Sequence, residues 1–176
     1  LAMKVQQFTA PVMAKSFEDT AFYRDARFIA RNEVGAEPES LYTTPQGFHY
    51  GCVQRLDTHP FALLSTATHD HKRGEDLRAR LNVLSEIPEQ WQKWSERFAD
   101  YTAGMVTEGA PDRNDQFFLL QTIIGSWPTD FTGPEYEGIK TFRERVIGYA
   151  EKALREAKTH TSWTAVDEEY EQATRR

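Results

Sequence analysis

A long amphipathic stripe in the second half of the chain constrains the fold most. Apolar residues recur there at the spacing of a helix for about five turns. The stripe consists of Ile139, Phe142, Val146, Tyr149, Ala153 and Ala157. Side chains three and four residues apart share one face of a helix, so this spacing predicts a long helix that begins at Pro134 and ends near Lys158. A helix with one apolar face must bury that face against other elements.

Five further segments have the apolar spacing or the terminal residues of helices. They run from Pro45 to about Leu56, over Leu77–Leu84, from Pro88 to about Tyr101, from Asp112 or Asn114 to about Gly125, and from Asp167 to Ala173. Pro11 is expected to interrupt any helix within residues 6–24. Asn32–Gly35, followed by Pro38, predicts a turn.

One segment predicts a strand rather than a helix. Phe61–Ala67 is a short apolar run rich in Ser and Thr that follows Pro60 and precedes a charged cluster, which favours a buried strand. The sequence therefore predicts a mainly α chain with one or two short strands. It also predicts two parts, residues 1–86 and residues 87–176, the second being a helical domain.

Composition excludes several classes of protein. The chain has 176 residues, 39% of them apolar and 27% charged, which is typical of a globular domain. A net charge of -6 makes nucleic acid and anionic membranes poor partners. The longest apolar run, Phe61–Leu64, is too short to span a bilayer. A single cysteine, Cys52, allows no internal disulfide and favours a cytoplasmic location, and Leu1 in place of Met suggests a chain taken from a longer protein.

The residues that point to chemistry follow the predicted strand. His69 and Asp70 come directly after it, and catalytic residues of β/α barrels lie at the carboxyl ends of strands. A His-Asp pair can bind vicinal sugar hydroxyls, and an aspartate can stabilise positive charge on a sugar ring. Three alternatives stay open: a structural His-Asp bond at a helix cap, a stand-alone helical interaction module, and a metal site of the HD-type phosphohydrolases that includes His71.

Four blocks of the sequence resemble the maltooligosyltrehalose synthases of the α-amylase superfamily. Residues 68–80 read THDHKRGEDLRAR, where the family has THDTKRxEDxRAR. Residues 10–25 read APVMAKSFEDTAFYRD, where the family has (G/A)PVMAKGxEDTAFYRY. The other two blocks are NEVG at 32–35 and AKTHTSW at 157–163 with Tyr170-Glu171. The blocks span nearly the whole chain in the family's order.

The resemblance implies a fold, a reaction and roles for six residues. The chain would come from the end of a (β/α)8 barrel and its helical domain, and the parent would convert the reducing-end α-1,4 linkage of maltooligosaccharides to an α,α-1,1 linkage. Asp70 would be the third carboxylate of the active site, and the substrate would be bound by His69, Lys72, Lys15, Arg24 and Glu18. The departures Ser16, Asp25 and His71 bear on the shape of the acceptor side.

Further expectations concern cofactors, partners and activity. The resemblance implies neither a metal nor an organic cofactor. The expected partners are a maltooligosaccharide and the remainder of the catalytic barrel, which would hold the nucleophile and the general acid. The isolated chain is therefore expected to be inactive. Lys15 and Lys72 remain open to the simpler interpretation that they are solvated surface lysines.

Overall fold

The computed structural model describes residues 1–37, 39–40, 42–133 and 137–176, which are mainly helical, as predicted. Pro38 and Pro134, assigned above to a turn and to a helix start, lie outside these residues. The helices are α1 (Ala2–Met13), α2 (Pro45–Thr58), α3 (Glu75–Val83), α4 (Pro88–Thr102), α5 (Arg113–Ser126), α6 (Gly138–Ala157) and α7 (Glu168–Thr174). Single 3-10 turns occur at Ile29–Arg31, Leu84–Glu86 and Ala103–Met105.

Capping side chains explain where three helices begin. The Thr44 side chain accepts a hydrogen bond from the Gly47 amide at 3.1 Å, and Asp112 accepts one from Asp115 at 2.8 Å. Asp167 caps α7 in the same way. Such caps satisfy amides that have no partner within the helix. The helix starts predicted at Pro45, after Asp112 and at Asp167 are thus confirmed to within a residue.

The prediction that Pro11 interrupts a helix is wrong. Pro11 lies inside α1, and the helix continues through it. The chain then widens into a π-helix over Ala14–Ala21 and ends in one α-helical turn at Phe22–Arg24. Proline removes one amide donor, and the helix tolerates that loss at a cost of about 3 kcal/mol. The π-helix begins three residues after Pro11.

The predicted strand at Phe61–Ala67 does not form. Residues 61–70 are exposed and irregular, and the described residues contain one isolated bridge, between Thr107 and Ala110. A strand needs a neighbouring strand to accept and donate its main-chain hydrogen bonds. Within the described residues the 61–67 segment has no such neighbour, so its apolar side chains face solvent.

The main core lies where α3, α5 and α6 meet the segment that follows the π-helix. It comprises Tyr23, Ala26, Ile29, Leu81, Leu84, Phe118, Ala153 and Ala157. A smaller cluster of Ala110, Leu154, Tyr170 and Ala173 seats α7. Residues 1–86 and 87–176 both contribute to the main core, and their division into two domains stays a prediction. No helix among the described residues is long and apolar enough to cross a membrane.

Gln121 of α5 forms hydrogen bonds with the main chain of residues 26–29. Its side chain is fully buried; Oε1 accepts from the Ile29 amide at 3.0 Å and Nε2 donates to the Ala26 carbonyl at 2.6 Å. The turn after the π-helix is thereby held against the core. This turn positions the acidic and basic residues described next.

Candidate active-site segment

The π-helix carries two of the predicted site residues, Lys15 and Glu18, and one further acidic residue, Asp19. Lys15 is 75% exposed, whereas Glu18 is buried and Asp19 is mostly covered. The Thr20 hydroxyl donates to the Lys15 carbonyl five residues earlier, at 2.8 Å, the spacing of a π turn. The wide turn brings Lys15 and Asp19 face to face, and their side chains form an ion pair.

The turn at Asn32–Gly35 packs beside the π-helix. Gly35 has φ +77°, which favours glycine, and its amide donates to Glu18 Oε1 at 3.2 Å. Asn32 is buried, and its side-chain amide donates to the carbonyls of Phe22 and Asp25. The turn and the π-helix therefore form one hydrogen-bonded unit, in which Glu18 binds main chain.

Glu33 joins this unit to the loop that carries the His-Asp pair. Its carboxylate is buried and accepts three main-chain hydrogen bonds: Lys72 N to Oε1 at 2.6 Å, Val34 N to Oε1 at 3.0 Å, and Arg73 N to Oε2 at 2.9 Å. Two of these bonds connect residues about 40 positions apart in sequence. Hydrogen bonds to an ionised acceptor are stronger than neutral ones.

Asp19 brings the two predicted acceptor-side lysines together. Lys72 Nζ lies 2.6 Å from Asp19 Oδ1, and Lys15 Nζ pairs with Asp19 Oδ2. Burial raises the pKa of Asp19, but hydrogen bonds from both lysines outweigh burial and hold it below its usual value. The hydrogen bond to Asp19, together with its charge, raises the pKa of Lys15. The two ammonium groups thus share one carboxylate. Lys72 and Asp19 are 53 residues apart in the sequence.

The two lysines differ sharply in access. The Lys72 side chain is 6% exposed, so its ammonium is committed to Asp19. Lys15 keeps most of its side chain in solvent and has hydrogen-bond donors to spare, because an ammonium has three. The interpretation as solvated surface lysines fits the exposure of Lys15 and not that of Lys72.

His69 and Asp70 are exposed on the loop just before Lys72. The contacts of this loop are mainly local: the Asp70 amide donates to Thr68 Oγ1 at 3.3 Å, and the Thr68 amide donates to His71 Nδ1 at 2.8 Å. His71, the departure from the family string, therefore braces the main chain beside the pair. The Asp70 carboxylate faces outward from the described residues.

Arg24 ends the α-helical turn that follows the π-helix, and its side chain faces another element. Its Nε donates to the carbonyl of Ala157, the last residue of α6, at 2.6 Å. Lys158, next along the chain, donates to Thr20 Oγ1 at 2.9 Å. The end of α6 is thereby tied to the π-helix, and Arg24 supports this junction rather than the lysine pair.

Sequence reasoning missed three residues of this unit: Asp19, Glu33 and Arg73. All three fall inside matched blocks, but their partners are distant in sequence and no spacing rule reveals them. The Arg73 guanidinium is buried over the Phe118 ring, 5.3 Å from its centroid, and Nη1 donates to the Asn32 carbonyl at 3.1 Å. A buried arginine on an aromatic face makes a cation–π contact between distant parts of the chain, which no local pattern predicts.

Among the described residues, one group could share a cation: Asp112, Asp115 and His160. These side chains are already bonded, since His160 Nε2 lies 2.7 Å from Asp112 Oδ2 and Tyr170 donates to Asp115 Oδ2 at 2.6 Å. Asp112 also caps α5. The group serves the fold at the α5–α7 contact and is separate from the His69-Asp70-His71 run.

Comparison with known proteins gives one consistent result. A protein of Mycobacterium tuberculosis (strain H37Rv), provisionally named a maltooligosyl trehalose synthase, is 41% identical over 162 residues, which is 92% of this chain and 20% of that protein. The crystal structure of a hypothetical maltooligosyl trehalose synthase from Sulfolobus tokodaii matches 98% of the chain and 22% of its own, with TM-score 0.82 and 34% identity. The Arthrobacter ramosus maltooligosyltrehalose synthase matches 99% of the chain with TM-score 0.80 and 35% identity.

No family model matches the chain. The chain spans about a fifth of the length of its relatives, and the match runs through nearly all of its own residues. Similarity in sequence and in fold therefore agree over the same stretch. Over nearly all of its own length, this chain is therefore similar in sequence and fold to one segment of the maltooligosyltrehalose synthases, about a fifth of each.

Proposed function

We propose that this chain is the part of a maltooligosyltrehalose synthase that supplies Asp70 and the acceptor side of the active site. The parent would be an intramolecular transglucosylase that turns the reducing-end α-1,4 linkage of a maltooligosaccharide into an α,α-1,1 linkage. The observation that carries the proposal is the contact between the two longest blocks that resemble the family. Residues 10–25 and 68–80 meet through Asp19, which binds Lys15 from one block and Lys72 from the other.

The chemistry requires more carboxylates than Asp70. A retaining glycosidase uses a nucleophile and an acid about 5–5.5 Å apart, and its transition state has positive charge on the sugar ring. In this proposal the nucleophile and acid come from the rest of the parent. Asp70 and His69 approach the same sugar from the exposed loop, where the carboxylate stabilises the developing charge and the imidazole binds hydroxyls.

Isomerisation also demands control of the released glucose. The glucose must stay bound and turn, so that its anomeric hydroxyl rather than water attacks the glycosyl-enzyme. Lys15 suits this role because its ammonium is accessible and anchored on one side by Asp19. Lys72 and Glu18 support the proposal in another way, since they hold segments of the acceptor side through bonds to Asp19 and Gly35. Arg24 supports it less directly, by binding the end of α6 at Ala157.

The exposed apolar surface supports the remainder of the enzyme as a partner. Of 23 exposed large hydrophobic residues among those described, 15 lie within residues 1–64. They include Phe8, Phe48, Phe61 and Leu63, on α1, on α2 and in the loop after α2. So many exposed apolar side chains in this part of the chain fit a surface that another part of the parent would cover. For the compartment of the parent, Cys52 supports the cytoplasm.

Asp70→Asn in the complete parent enzyme tests the proposal. The change is isosteric and the side chain is exposed, so folding should be unaffected while kcat for trehalosyl product falls about 10²–10³-fold, as for other single groups that stabilise transition-state charge. Asp100→Asn, at an exposed position of α4, is the matched control and should keep full activity. If Asp70→Asn kept more than about a tenth of wild-type kcat, Asp70 would not have this role.

The role of Lys15 has its own measurement. Lys15→Ala in the complete enzyme should raise the ratio of free glucose to trehalosyl product at low conversion, because water then competes for the glycosyl-enzyme. Lys93→Ala, at an exposed position of α4, serves as the control. A ratio equal to that of the control would mean that Lys15 is a solvated surface lysine with no role in the reaction.

A further inference from the structure

Glu33 has no role in the chemistry argued so far, yet it is among the most heavily bonded side chains near the His-Asp loop. It is 6% exposed, and both carboxylate oxygens are occupied by main-chain amides. A buried carboxylate is costly unless hydrogen bonds replace its hydration. The three amides of Val34, Lys72 and Arg73 replace it here, and two of them belong to the loop.

The position of these two amides matters because of what precedes them. Residues 61–70 are all exposed, and their bonds are local apart from one between Arg78 and the Thr66 carbonyl. Lys72 is therefore the first residue after Asp70 whose main chain is fixed to a distant part of the fold. Two residues of extended chain span at most about 7 Å, so the Glu33 anchor limits where Asp70 can lie.

A second anchor acts on the same residue. Asp19 binds the Lys72 ammonium at 2.6 Å, while Glu33 binds the Lys72 amide at 2.6 Å. Main chain and side chain of Lys72 are thus held from two sides. A residue fixed at both ends can transmit the rigidity of the π-helix and the 32–35 turn to the loop.

We propose that Glu33 is a positioning residue of the active site, which sets the location of Asp70 by clamping the amides of Lys72 and Arg73. The inference rests on the proposed function for its catalytic part. The geometry requires a carboxylate, because two acceptor oxygens face donors. A glutamine would offer one oxygen and turn an N–H₂ group toward an amide N–H.

The first experiment needs only this chain. Amide hydrogen exchange measured by NMR on Glu33→Gln should be at least about tenfold faster at Lys72 and Arg73 than in the wild type, with amides of α5 and α6 unchanged. Glu37→Gln, at an exposed position four residues away, is the matched control and should leave every rate unchanged. Unchanged exchange at Lys72 and Arg73 in Glu33→Gln would overturn the proposal.

The second experiment uses the complete enzyme. Glu33→Gln should lower kcat about 10- to 100-fold per folded molecule, with KM within about threefold of wild type. The variant would lose the correct position of Asp70 but would still bind substrate. Glu33→Asp, which keeps two acceptor oxygens, should recover part of kcat and also provides a folded variant if the glutamine variant does not fold. A purely stabilising role would lower the melting temperature and leave kcat per folded molecule unchanged, and that result would overturn the proposal.

The two experiments separate the two ideas. A wild-type complete enzyme that forms no trehalosyl product would refute the proposed function and the catalytic part of this inference. The exchange measurement would still decide whether Glu33 anchors the loop. Faster exchange together with a normal kcat would refute the positioning role alone.

Discussion

Two regions of the molecule differ in how far their apolar residues are buried. The outer segments, residues 1–17 and 42–71, include α1 and α2, neither of which has a buried residue. The packed body, residues 18–37, 72–133 and 137–176, contains both apolar clusters and the buried polar contacts of Glu33, Gln121 and Glu171. Apolar residues of the body thus form a core, whereas the large apolar residues of the outer segments are mostly exposed.

The difference indicates where the proposed active site would be completed. Asp70 and His69 lie on an outer segment, while Lys72, Asp19 and Glu33 lie at the edge of the body. The proposed site therefore lies where the packed body meets the exposed outer segments. In the proposed parent, the exposed side is where the substrate and the rest of the barrel would lie.

The largest expected effect is a complete absence of activity in the isolated chain. In the proposed function the nucleophile and the acid come from the rest of the parent, so the purified chain should not convert maltopentaose to a non-reducing sugar. Loss of reducing ends is the measurement. A loss that scales with the concentration of the chain, and that disappears in Asp70→Asn, would mean that the outer segments already form a working site.

A matched pair of Leu→Ala substitutions measures the contrast in packing. Leu81 is 0% exposed in the core and Leu63 is 100% exposed on an outer segment. Leu81→Ala should lower the free energy of unfolding by about 2–5 kcal/mol. Leu63→Ala should change it by less than about 0.5 kcal/mol. Urea unfolding of the two variants decides the matter, and equal losses would show that residue 63 is packed in solution.

Glycine offers a second matched pair, with a smaller effect. A Cβ on Gly125 of α5 would lie 2.6 Å from Leu77 Cγ, so Gly125→Ala forces α3 and α5 apart and should cost about 1–3 kcal/mol. A Cβ on Gly51 of α2 meets nothing within 4 Å. Gly51→Ala should be neutral or stabilising by at most about 1 kcal/mol, because alanine favours helix. Destabilisation by Gly51→Ala would contradict the exposed state of α2.

The same contrast explains which sequence predictions held. Helix spacing and caps predicted α2 to α7 well, because apolar stripes and residues such as Thr44 and Asp112 act locally. The strand at Phe61–Ala67 failed because strands depend on partners outside the segment. The prediction at Pro11 failed because the free-energy cost of a proline within a helix is finite, and α1 continues despite that cost.

The candidate site was predictable only in part. Its motif residues could be proposed from matched strings, since Lys15, Asp70 and Lys72 fall within them. Their connections could not, because Asp19 reaches Lys72 across 53 residues and Glu33 reaches it across 39. Such bonds depend on the tertiary fold, which local patterns do not encode.

The smallest expected effect compares two helix caps. Asp112 caps α5 in the body, and Thr44 caps α2 in an outer segment. Asp112→Ala should lower the free energy of unfolding by about 1 kcal/mol, since α5 carries core residues. Thr44→Ala should leave global unfolding unchanged, because fraying of an unpacked helix costs the core nothing. Equal losses at the two caps would contradict the division into body and outer segments.

Acid titration sharpens the comparison of the caps. Burial raises the pKa of Asp112, but hydrogen bonds from the Asp115 amide and from His160 outweigh burial and hold it below the usual value. A lowered folded pKa means that the stabilisation by Asp112 is fully present above the unfolded pKa of about 3.9 and is lost as the pH falls through the folded value. The difference in unfolding free energy between wild type and Asp112→Ala should therefore shrink in that acid range. The difference for Thr44→Ala should stay near zero throughout, because the threonine hydroxyl does not titrate.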